Sequence, residues 1–424
     1  MIVLDYSFVQ SAPTRSNGSM ASPSDPVLAT WRVCAAAAIA LAVAMGIGRF
    51  AFTPLLPLMQ REGLLDSDGG AWLAAVNYAG YLLGALSAAR LAAQPRRLVL
   101  ACLCATAAVT AAAGLVHGLA GWLALRAAAG VLSAWALVGV SSWSVGELAR
   151  RGRADAGGWV FSGVGTGIAV VGALAWAQAG AGSAALWIGL GALAALAALG
   201  VQQLWPAAGT ALQKSAAGLA VHMPAGSAKL IFCYGSFGFG YILPATYLPA
   251  LARALVDDPR LFGLTWPAFG LAAAASTLLA GRALRRWRLL DVWSACHLLM
   301  AVGCALPLFS RSGIAIAVAA LLVGGTFMVA TMVGLQQARR LVPSNPAPLL
   351  GRMTAAFAIG QIAGPLAAVL LARLPVRMPF AGWSGIEETL ALAAILLCAT
   401  ALWLRRPSIE PETTHEPPAQ PAAR

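Results

Sequence analysis

Long apolar runs separated by short polar stretches dominate this sequence. A helix that crosses the hydrocarbon core of a bilayer needs about 20 mostly apolar residues, and twelve windows of the sequence meet that requirement. The first six are 33–59, 70–91, 98–116, 121–148, 157–180 and 184–205, and the second six are 230–251, 264–284, 290–309, 313–333, 349–371 and 386–404. The pattern predicts an all-α membrane protein with twelve transmembrane helices.

The composition supports lipid as the solvent. Of the 424 residues, 60% are hydrophobic and 10% are charged, whereas soluble proteins are about half apolar and about a quarter charged. A net charge of +13 would usually suggest nucleic-acid binding. The basic residues lie in short clusters between apolar runs, where membrane topology places them, and this excludes nucleic acid as a partner.

Polar segments flank and divide the apolar windows. Residues 1–32 lack the basic start and apolar core of a signal peptide, and we expect a disordered cytoplasmic tail there, with Met20 as an alternative start. Residues 405–424 are rich in Pro and Glu and predict a second disordered cytoplasmic tail. Residues 206–229 read as a cytoplasmic linker between an N-terminal six-helix half, 33–205, and a C-terminal half, 230–404.

The distribution of Lys and Arg predicts the orientation. With the N-terminus inside, cytoplasmic segments hold 20 basic residues and outer segments hold 6. Because cytoplasmic loops carry the excess of Lys and Arg, we expect a multi-pass protein of the bacterial cytoplasmic (inner) membrane with both termini in the cytoplasm.

An internal repeat divides the chain at the same place. Shifting the sequence by 192 positions aligns identical residues within and just after the first and seventh windows: Gly46 with Gly238, Gly48 with Gly240, Leu56 with Leu248, Pro57 with Pro249, Arg61 with Arg253 and Asp66 with Asp258. A GxxxG pattern also occurs in the fifth and eleventh windows, as Gly163/Gly167 and Gly360/Gly364. The repeat predicts two pseudo-symmetric halves with a solute site between them at mid-membrane.

Two strings carry a resemblance to a known family. GIGRFAFTPLLPLMQ in the first window and WLAAVNYAGYLLGAL in the second resemble the YbfB/YjiJ-type branch of the major facilitator superfamily (MFS). Arg126 and Gly130 have the R-x-x-x-G spacing of the superfamily's helix-4 motif, and SGVGTGIAVVG is similar to its glycine-rich antiporter motif without the usual proline. The loop after the second window lacks the aspartate of the gating motif. The resemblance implies the MFS fold and a secondary transporter that works by alternating access, and leaves the solute open.

Arg49 is the strongest candidate for chemistry. An arginine near the middle of a membrane helix costs at least about 2.5 kcal/mol on insertion scales, and its repeat partner is the uncharged Tyr241. We expect Arg49 to face a cavity and to bind an anionic group of the solute. In the alternative, Arg49 ties its helix to carbonyls or hydroxyls such as those of Ser141 and Ser142.

Other candidates follow from polar and aromatic residues inside apolar windows, which suit a small organic solute but also form interhelical hydrogen bonds. The candidate substrate-binding residues are Arg49, Arg126, Asn77, Tyr81, Tyr241, Tyr247 and Gln361. The candidate gating or coupling residues are Glu147, Arg90, Arg352, His297, Pro54, Pro57 and Pro249. The acidic residues lie at helix ends, in loops or in tails, so proton coupling would need Glu147, a histidine or the charge of the solute.

Motifs for other chemistry are absent from the sequence. The seven cysteines show no CxxC pairing, and neither a metal site nor a disulfide framework nor a cofactor is expected. No HExxH, GxSxG or P-loop occurs, which argues against an enzyme. The sequence predicts a secondary active transporter for a small organic solute, anionic or amphipathic, acting in efflux or with protons as the coupling ion. It is expected to be a monomer in the lipid bilayer. The alternative function is a non-transporting membrane receptor or scaffold.

Overall fold

The computed structural model describes residues 26–91, 94–178, 180, 182–206, 224–255, 263–373 and 385–406. Most of the predicted tails and of the linker lies outside these ranges. Two predicted boundaries were wrong: residues 26–32, predicted as part of the disordered N-terminal tail, begin the first helix, and residues 227–229, predicted as linker, begin the helix of the seventh window. Within them, one helix occupies each of the twelve predicted windows. The helices of the N-terminal half are α1a (Pro26–Leu41) with α1b (Phe52–Arg61), α2 (Ser67–Leu91), α3 (Pro95–Ala112), α4 (Leu119–Arg150), α5 (Gly157–Ala177) and α6 (Ser183–Leu204). Those of the C-terminal half are α7 (Ser227–Leu255), α8 (Thr265–Ala283), α9 (Leu289–Phe309), α10 (Gly313–Leu341), α11 (Ala347–Arg373) and α12 (Gly385–Arg405).

Most of these helices qualify individually as membrane spans. Among the described residues, ten are long and apolar enough to cross a membrane, with α1a and α1b counted as one continuous span. Helices α7 and α8 are not among the ten. The α8 sequence combines Gly, Ala, Ser and Thr with Arg282, and its Thr277 is fully buried. Its small residues suit contact with other helices, while Leu271 and Leu279 of the same helix are exposed on the outside of the bundle.

Helix α10 extends further than its apolar window. It continues eight residues past the predicted end at residue 333, through the polar stretch GLQQARRL, and ends at Leu341. Gln, Ala, Arg and Leu are good helix formers, so the helix persists after the sequence has ceased to be apolar. Hydropathy locates the membrane, while propensity and packing decide where a helix ends.

The first membrane helix is interrupted near its middle. Residues Ala42–Ile47 form a π-helical turn, in which Gly48 N–H donates to the Val43 carbonyl (2.8 Å) and Phe50 N–H donates to the Met45 carbonyl (2.9 Å). The regular helix resumes at Phe52. π-Helical turns are rare and frequently mark functional sites, and this one directly precedes Arg49.

The two halves repeat one close helix contact. In the N-terminal half, a Cβ added at Gly46 would lie 2.5 Å from the Gly167 Cα, so α1 and α5 touch through backbone. In the C-terminal half, a Cβ added at Gly360 on α11 would lie 3.1 Å from the Gly238 carbonyl carbon on α7. Gly46 and Gly238 are the pair that the sequence repeat aligns, and small residues allow such approaches between membrane helices.

A second glycine surface on α5 joins the halves. Gly158, Gly165 and Gly172, seven residues apart and therefore on one helix face, all lie against α8. A Cβ added at Gly158 would lie 2.5 Å from the Thr277 carbonyl oxygen, and one added at Gly172 would lie 2.8 Å from the Pro267 nitrogen. The halves thus meet backbone to backbone along most of this helix pair, which we call the α5–α8 seam.

Side chains close the bundle at one membrane face. We call the face that carries the ends of α2, α4, α8 and α10, with Arg90, Arg150 and Arg340, the basic face. There the Arg285 guanidinium, just after α8, donates to the Asp155 carboxylate at 3.1 Å. The Arg339 guanidinium of α10 covers Gly146 of α4, where an added Cβ would lie 2.7 Å from Nη2. These contacts link the N-terminal to the C-terminal half.

Candidate solute-binding site

Arg49 lies between the halves, directly after the π-helical turn. Its side chain is only 4% exposed, and its Nη2 donates to the side-chain oxygen of Gln361 on α11. The guanidinium carbon lies 3.8 Å from the ring centroid of Tyr81, with Phe50 at 5.5 Å and Tyr78 at 5.9 Å. Three aromatic rings therefore surround a buried cation, an arrangement worth about 2 kcal/mol or more when desolvated.

No acidic side chain balances this charge within the described part of the chain. The ion pairs found there all lie at helix ends or in loops: Arg150 and Arg151 with Glu147, Arg153 and Arg285 with Asp155, and Arg311 with Glu387. The Nε of Arg49 is buried and has no hydrogen-bond partner. The hydroxyls of Ser141 and Ser142 are likewise unpartnered, so Arg49 donates its hydrogen bond to Gln361 and not to these serines.

Arg126, on α4, binds the backbone of the first membrane helix where that helix is interrupted. Its Nη1 donates to the Gly48 carbonyl (3.4 Å) and its Nη2 to the Arg49 carbonyl (3.3 Å), and its guanidinium carbon lies 4.7 Å from the Phe52 ring centroid. Thr53 N–H donates to the Phe50 carbonyl (3.2 Å), three residues back, instead of the Arg49 carbonyl four residues back. Arg126 satisfies a carbonyl that the irregular turn leaves without its helical partner.

Asn77 belongs to the same supporting layer. It is buried on α2, and its Nδ2 donates to the Arg126 carbonyl at 2.9 Å. A Cβ added at Gly130 would lie 2.8 Å from the Tyr81 nitrogen, so α2 and α4 are in backbone contact at this level. Asn77 thus joins two helices, while Tyr81 on α2 contacts Arg49 directly.

Aromatic residues of the C-terminal half complete the cluster. Tyr241 on α7 stacks against Phe327 of α10, with centroids 4.9 Å apart and planes 21° apart, and lies 6.2 Å from the ring of Phe357 on α11. Tyr247, six residues along α7, is half-buried and is not among the residues found in contact with Arg49. The structure therefore brings together Arg49, Tyr81, Tyr241 and Gln361 of the predicted binding residues.

The predicted gating and coupling residues are dispersed. Glu147 is buried at the end of α4 and pairs with Arg150 of the same helix and with Arg151 directly after it. Arg90 and Arg352 are exposed, at the last turn of α2 and the first turns of α11. Pro54 and Pro57 lie in α1b, and the side chain of Pro249 lies outside the described residues.

His297 is fully buried between α9 and α12. Its Nε2 accepts from the Trp293 indole N–H at 2.9 Å, and its Nδ1 lies 2.9 Å from the Thr400 hydroxyl. Because Nε2 accepts, the neutral tautomer carries its proton on Nδ1. Both ring nitrogens are engaged, which is the geometry of a tie between helices.

Several residues at the site were not predicted from sequence. Phe357 is four residues before Gln361 and so lies on the same face of α11, a spacing that could have identified it. Phe50 adjoins Arg49, and its ring meets Phe327 edge to face at 6.3 Å and 80°. Nothing in the local sequence around Phe327 distinguishes it from an ordinary apolar core residue.

The fold and this buried site define a multi-pass membrane transporter of the major facilitator type, not an enzyme. A family model described as "Uncharacterised MFS-type transporter YbfB" matches residues 41–404, and the chain belongs to this family. None of the curated proteins compared with the chain matches it.

A solved structure confirms the predicted fold. The chain is similar to the crystal structure of the human organic anion transporter MFSD10 (TETRAN), with a TM-score of 0.70 and 17% sequence identity over 89% of this chain and 99% of that one. At this identity the likeness is evidence for the fold alone.

Proposed function

We propose that this protein is a secondary active transporter that moves a small organic anion across the membrane by alternating access. The observation that carries the proposal is Arg49, a buried cation without an acidic partner among the described residues. Intramembrane charges are rare, expensive and usually functional. A negatively charged solute would supply the missing counter-charge.

The shape of the arginine indicates the chemistry of the anion. A guanidinium binds carboxylate or phosphate through two parallel N–H groups. One Nη of Arg49 is engaged by Gln361, while Nε is unpartnered. A carboxylate approaching the Nε edge would accept from Nε–H and from one N–H of Nη2, while the other N–H of Nη2 keeps the contact to Gln361.

The position of the site supports alternating access. Arg49 and Gln361 belong to different halves, so rocking of the halves would open or close this contact. At the basic face, the contacts of Asp155 with Arg285 and of Gly146 with Arg339 join the two halves and close the space between them. By the positive-inside rule we infer that the basic face, both termini and the linker are cytoplasmic, and that the described arrangement is closed toward the cytoplasm.

Protons are the proposed coupling ion. In the described residues no carboxylate contacts Arg49, so a proton would travel with the solute or through Glu147 at the cytoplasmic end of α4. The competing function is a receptor or scaffold that transports nothing. Such a protein would use the same binding site as a transporter, and only a transport measurement distinguishes the two.

Reconstituted protein separates these possibilities. Purified protein in liposomes should accumulate members of a panel of radiolabelled organic anions, with and without an imposed pH gradient. Arg49→Lys should weaken uptake and Arg49→Ala should nearly abolish it, because losing one charge-assisted hydrogen bond of about 1.5–3 kcal/mol lowers affinity about ten- to a hundredfold. Arg286→Ala, at an exposed arginine of the loop between α8 and α9, is the matched control and should transport normally.

The outcomes are distinct. Binding of an anion that depends on Arg49, without any uptake under any gradient, would favour the receptor. Uptake that Arg49→Ala leaves unchanged would overturn the anion site. A C-terminal alkaline phosphatase fusion that is active would reverse the proposed orientation.

A further inference from the structure

A ladder of nearly parallel aromatic rings extends away from the Arg49 site. It consists of Tyr241, Phe327, Phe269 and Trp266, and we call it the ring ladder. Successive centroids are 4.9, 5.4 and 5.5 Å apart, and successive ring planes are inclined by 21°, 17° and 14°. Trp266 and Phe269 are three residues apart on α8, whereas the other two contacts join Phe327 of α10 to Tyr241 of α7 and to Phe269 of α8.

The ladder begins at the proposed anion site. Phe50, next to Arg49 in the chain, meets the Phe327 ring edge-on, and Tyr241 stacks on the same Phe327. It ends at Trp266, the second residue of α8, at the face opposite the basic face. A Cβ added at Gly172 of α5 would lie 3.0 Å from Trp266 Cδ1, so the far end of the ladder lies against the N-terminal half.

A glycine makes room for the middle of the ladder. A Cβ added at Gly324 on α10 would lie 2.7 Å from the ring of Phe269. Tyr241 and Phe327 are buried, whereas Phe269 and Trp266 are half-buried. Aromatic pairs in proteins also adopt edge-to-face geometry, as Phe50 and Phe327 do here, so three parallel contacts in succession form an extended set of flat apolar faces.

From this arrangement we propose that the transported anion is a planar aromatic carboxylate. Its acid group binds the Nε edge of Arg49, and its ring enters the ladder between Tyr241 and Phe327. These two rings stack on each other in the described arrangement and are each 3% exposed, so they must separate to admit the solute. This inference rests on the proposed function and narrows the class of solute. Stacking on one ring increases affinity by about two- to tenfold, so stacking on two rings should favour a planar aromatic ring over a puckered saturated ring of similar size by about four- to a hundredfold, and we take about tenfold as the expected difference.

The test uses two carboxylates that share one carbon skeleton and differ in whether its rings are aromatic and planar or saturated and puckered. The probes are 2-naphthoate and its fully saturated analogue, decahydro-2-naphthoate, and the measurement is Kd for the purified full-length protein by isothermal titration calorimetry. We expect 2-naphthoate to bind about tenfold more tightly. Phe327→Leu should reduce this ratio by about two- to tenfold, because only the contact with Tyr241 remains, while Phe327→Trp should largely preserve it.

The matched control is Phe161→Leu, at a fully buried phenylalanine on α5 that forms none of the ring pairs of the ladder. It should destabilise the fold comparably and leave the ratio of the two dissociation constants unchanged. The wild-type ratio is itself decisive, so the test does not depend on any variant folding.

Each outcome bears on one proposal. Equal affinity for the two carboxylates, or no binding of 2-naphthoate, overturns the aromatic inference. If an aliphatic anion then binds or is transported in an Arg49-dependent manner, the proposed function survives that result. If Arg49→Ala changes the binding and uptake of no anion in the panel, the proposed function fails as well.

Discussion

The Arg49 guanidinium donates a hydrogen bond to the side-chain oxygen of Gln361, a residue 312 positions away in the other half of the chain. The contact pairs a buried cation with a neutral acceptor, which satisfies one N–H without neutralising the charge. This distinction makes the identity of residue 361 open to experiment.

Gln361→Glu should supply an internal counter-ion for Arg49. We expect affinity for solute anions to fall at least tenfold, because the new carboxylate competes for the guanidinium, while the melting temperature in detergent is retained or raised. Gln361→Leu should instead lower the free energy of unfolding by about 1–3 kcal/mol, since it leaves a buried donor unpaired. A Gln361→Glu protein with wild-type anion affinity would show that Arg49 is not the binding group.

Arg126 should control transport through the shape of the first helix. A lysine has no planar fork and can satisfy only one of the Gly48 and Arg49 carbonyls well. Arg126→Lys should therefore retain expression and much of its thermal stability but reduce the maximal uptake rate, and Arg126→Ala should lose more of both. Kinetics of uptake together with melting temperatures test this, and unchanged uptake by Arg126→Ala would contradict the positioning role.

The α5–α8 seam should not accept a methyl group. At Gly158 an added Cβ would meet the Thr277 backbone oxygen at 2.5 Å, and overpacking of this kind typically costs about 1–3 kcal/mol. Gly158→Ala should lower the melting temperature and the uptake rate. Gly200→Ala, in α6 with no heavy atom within 4 Å of the added Cβ, is the control and should be as stable as wild type or slightly more so. Equal behaviour of the two variants would argue against a tight seam.

His297 should matter for stability and not for proton movement. His297→Leu leaves the buried Trp293 indole N–H unpaired, and we expect the free energy of unfolding to fall by about 1–3 kcal/mol. Uptake per folded molecule, and its pH profile, should remain as in wild type. A shifted pH profile in a protein that still folds would establish the shuttle role instead.

Much of the architecture could be read from sequence because lipid imposes simple rules. Apolar runs must be helical where water is absent, so each window holds a helix. The interruption of the first helix was harder to place. Pro54 and Pro57 predict a bend at their own positions, yet the irregular backbone lies upstream of both prolines, at residues 42–51. A proline removes the bond to, and clashes with, the carbonyl four residues earlier. For Pro54 that residue is Phe50, so the rule accounts for the end of the irregular stretch and not for the π-helical turn at Ala42–Ile47.

The partners of the candidate residues were beyond sequence reasoning. Arg49 stood out because an intramembrane charge is expensive, and Gln361 because it is polar in an apolar window. Their contact depends on how two halves pack, which no local pattern encodes. For the same reason Asn77 resembled a solute ligand, although its amide is occupied by the Arg126 carbonyl. In the sequence, Phe327 cannot be distinguished from an ordinary apolar core residue, because its role depends on rings from three different helices.

The glycines of α5 impose a mechanical condition on any exchange of conformations. One face of α5, at Gly163 and Gly167, is held against α1, and another, at Gly158, Gly165 and Gly172, is held against α8. A helix that packs closely against the backbones of two neighbours cannot rotate about its own axis without separating from one of them. It can slide or tilt along α8, and at these glycine positions such a movement requires no side chain to change rotamer. Movement of α5 along α8 should therefore cost little energy. The barrier to exchange between the inward-open and outward-open conformations should be set by the polar contacts at the basic face.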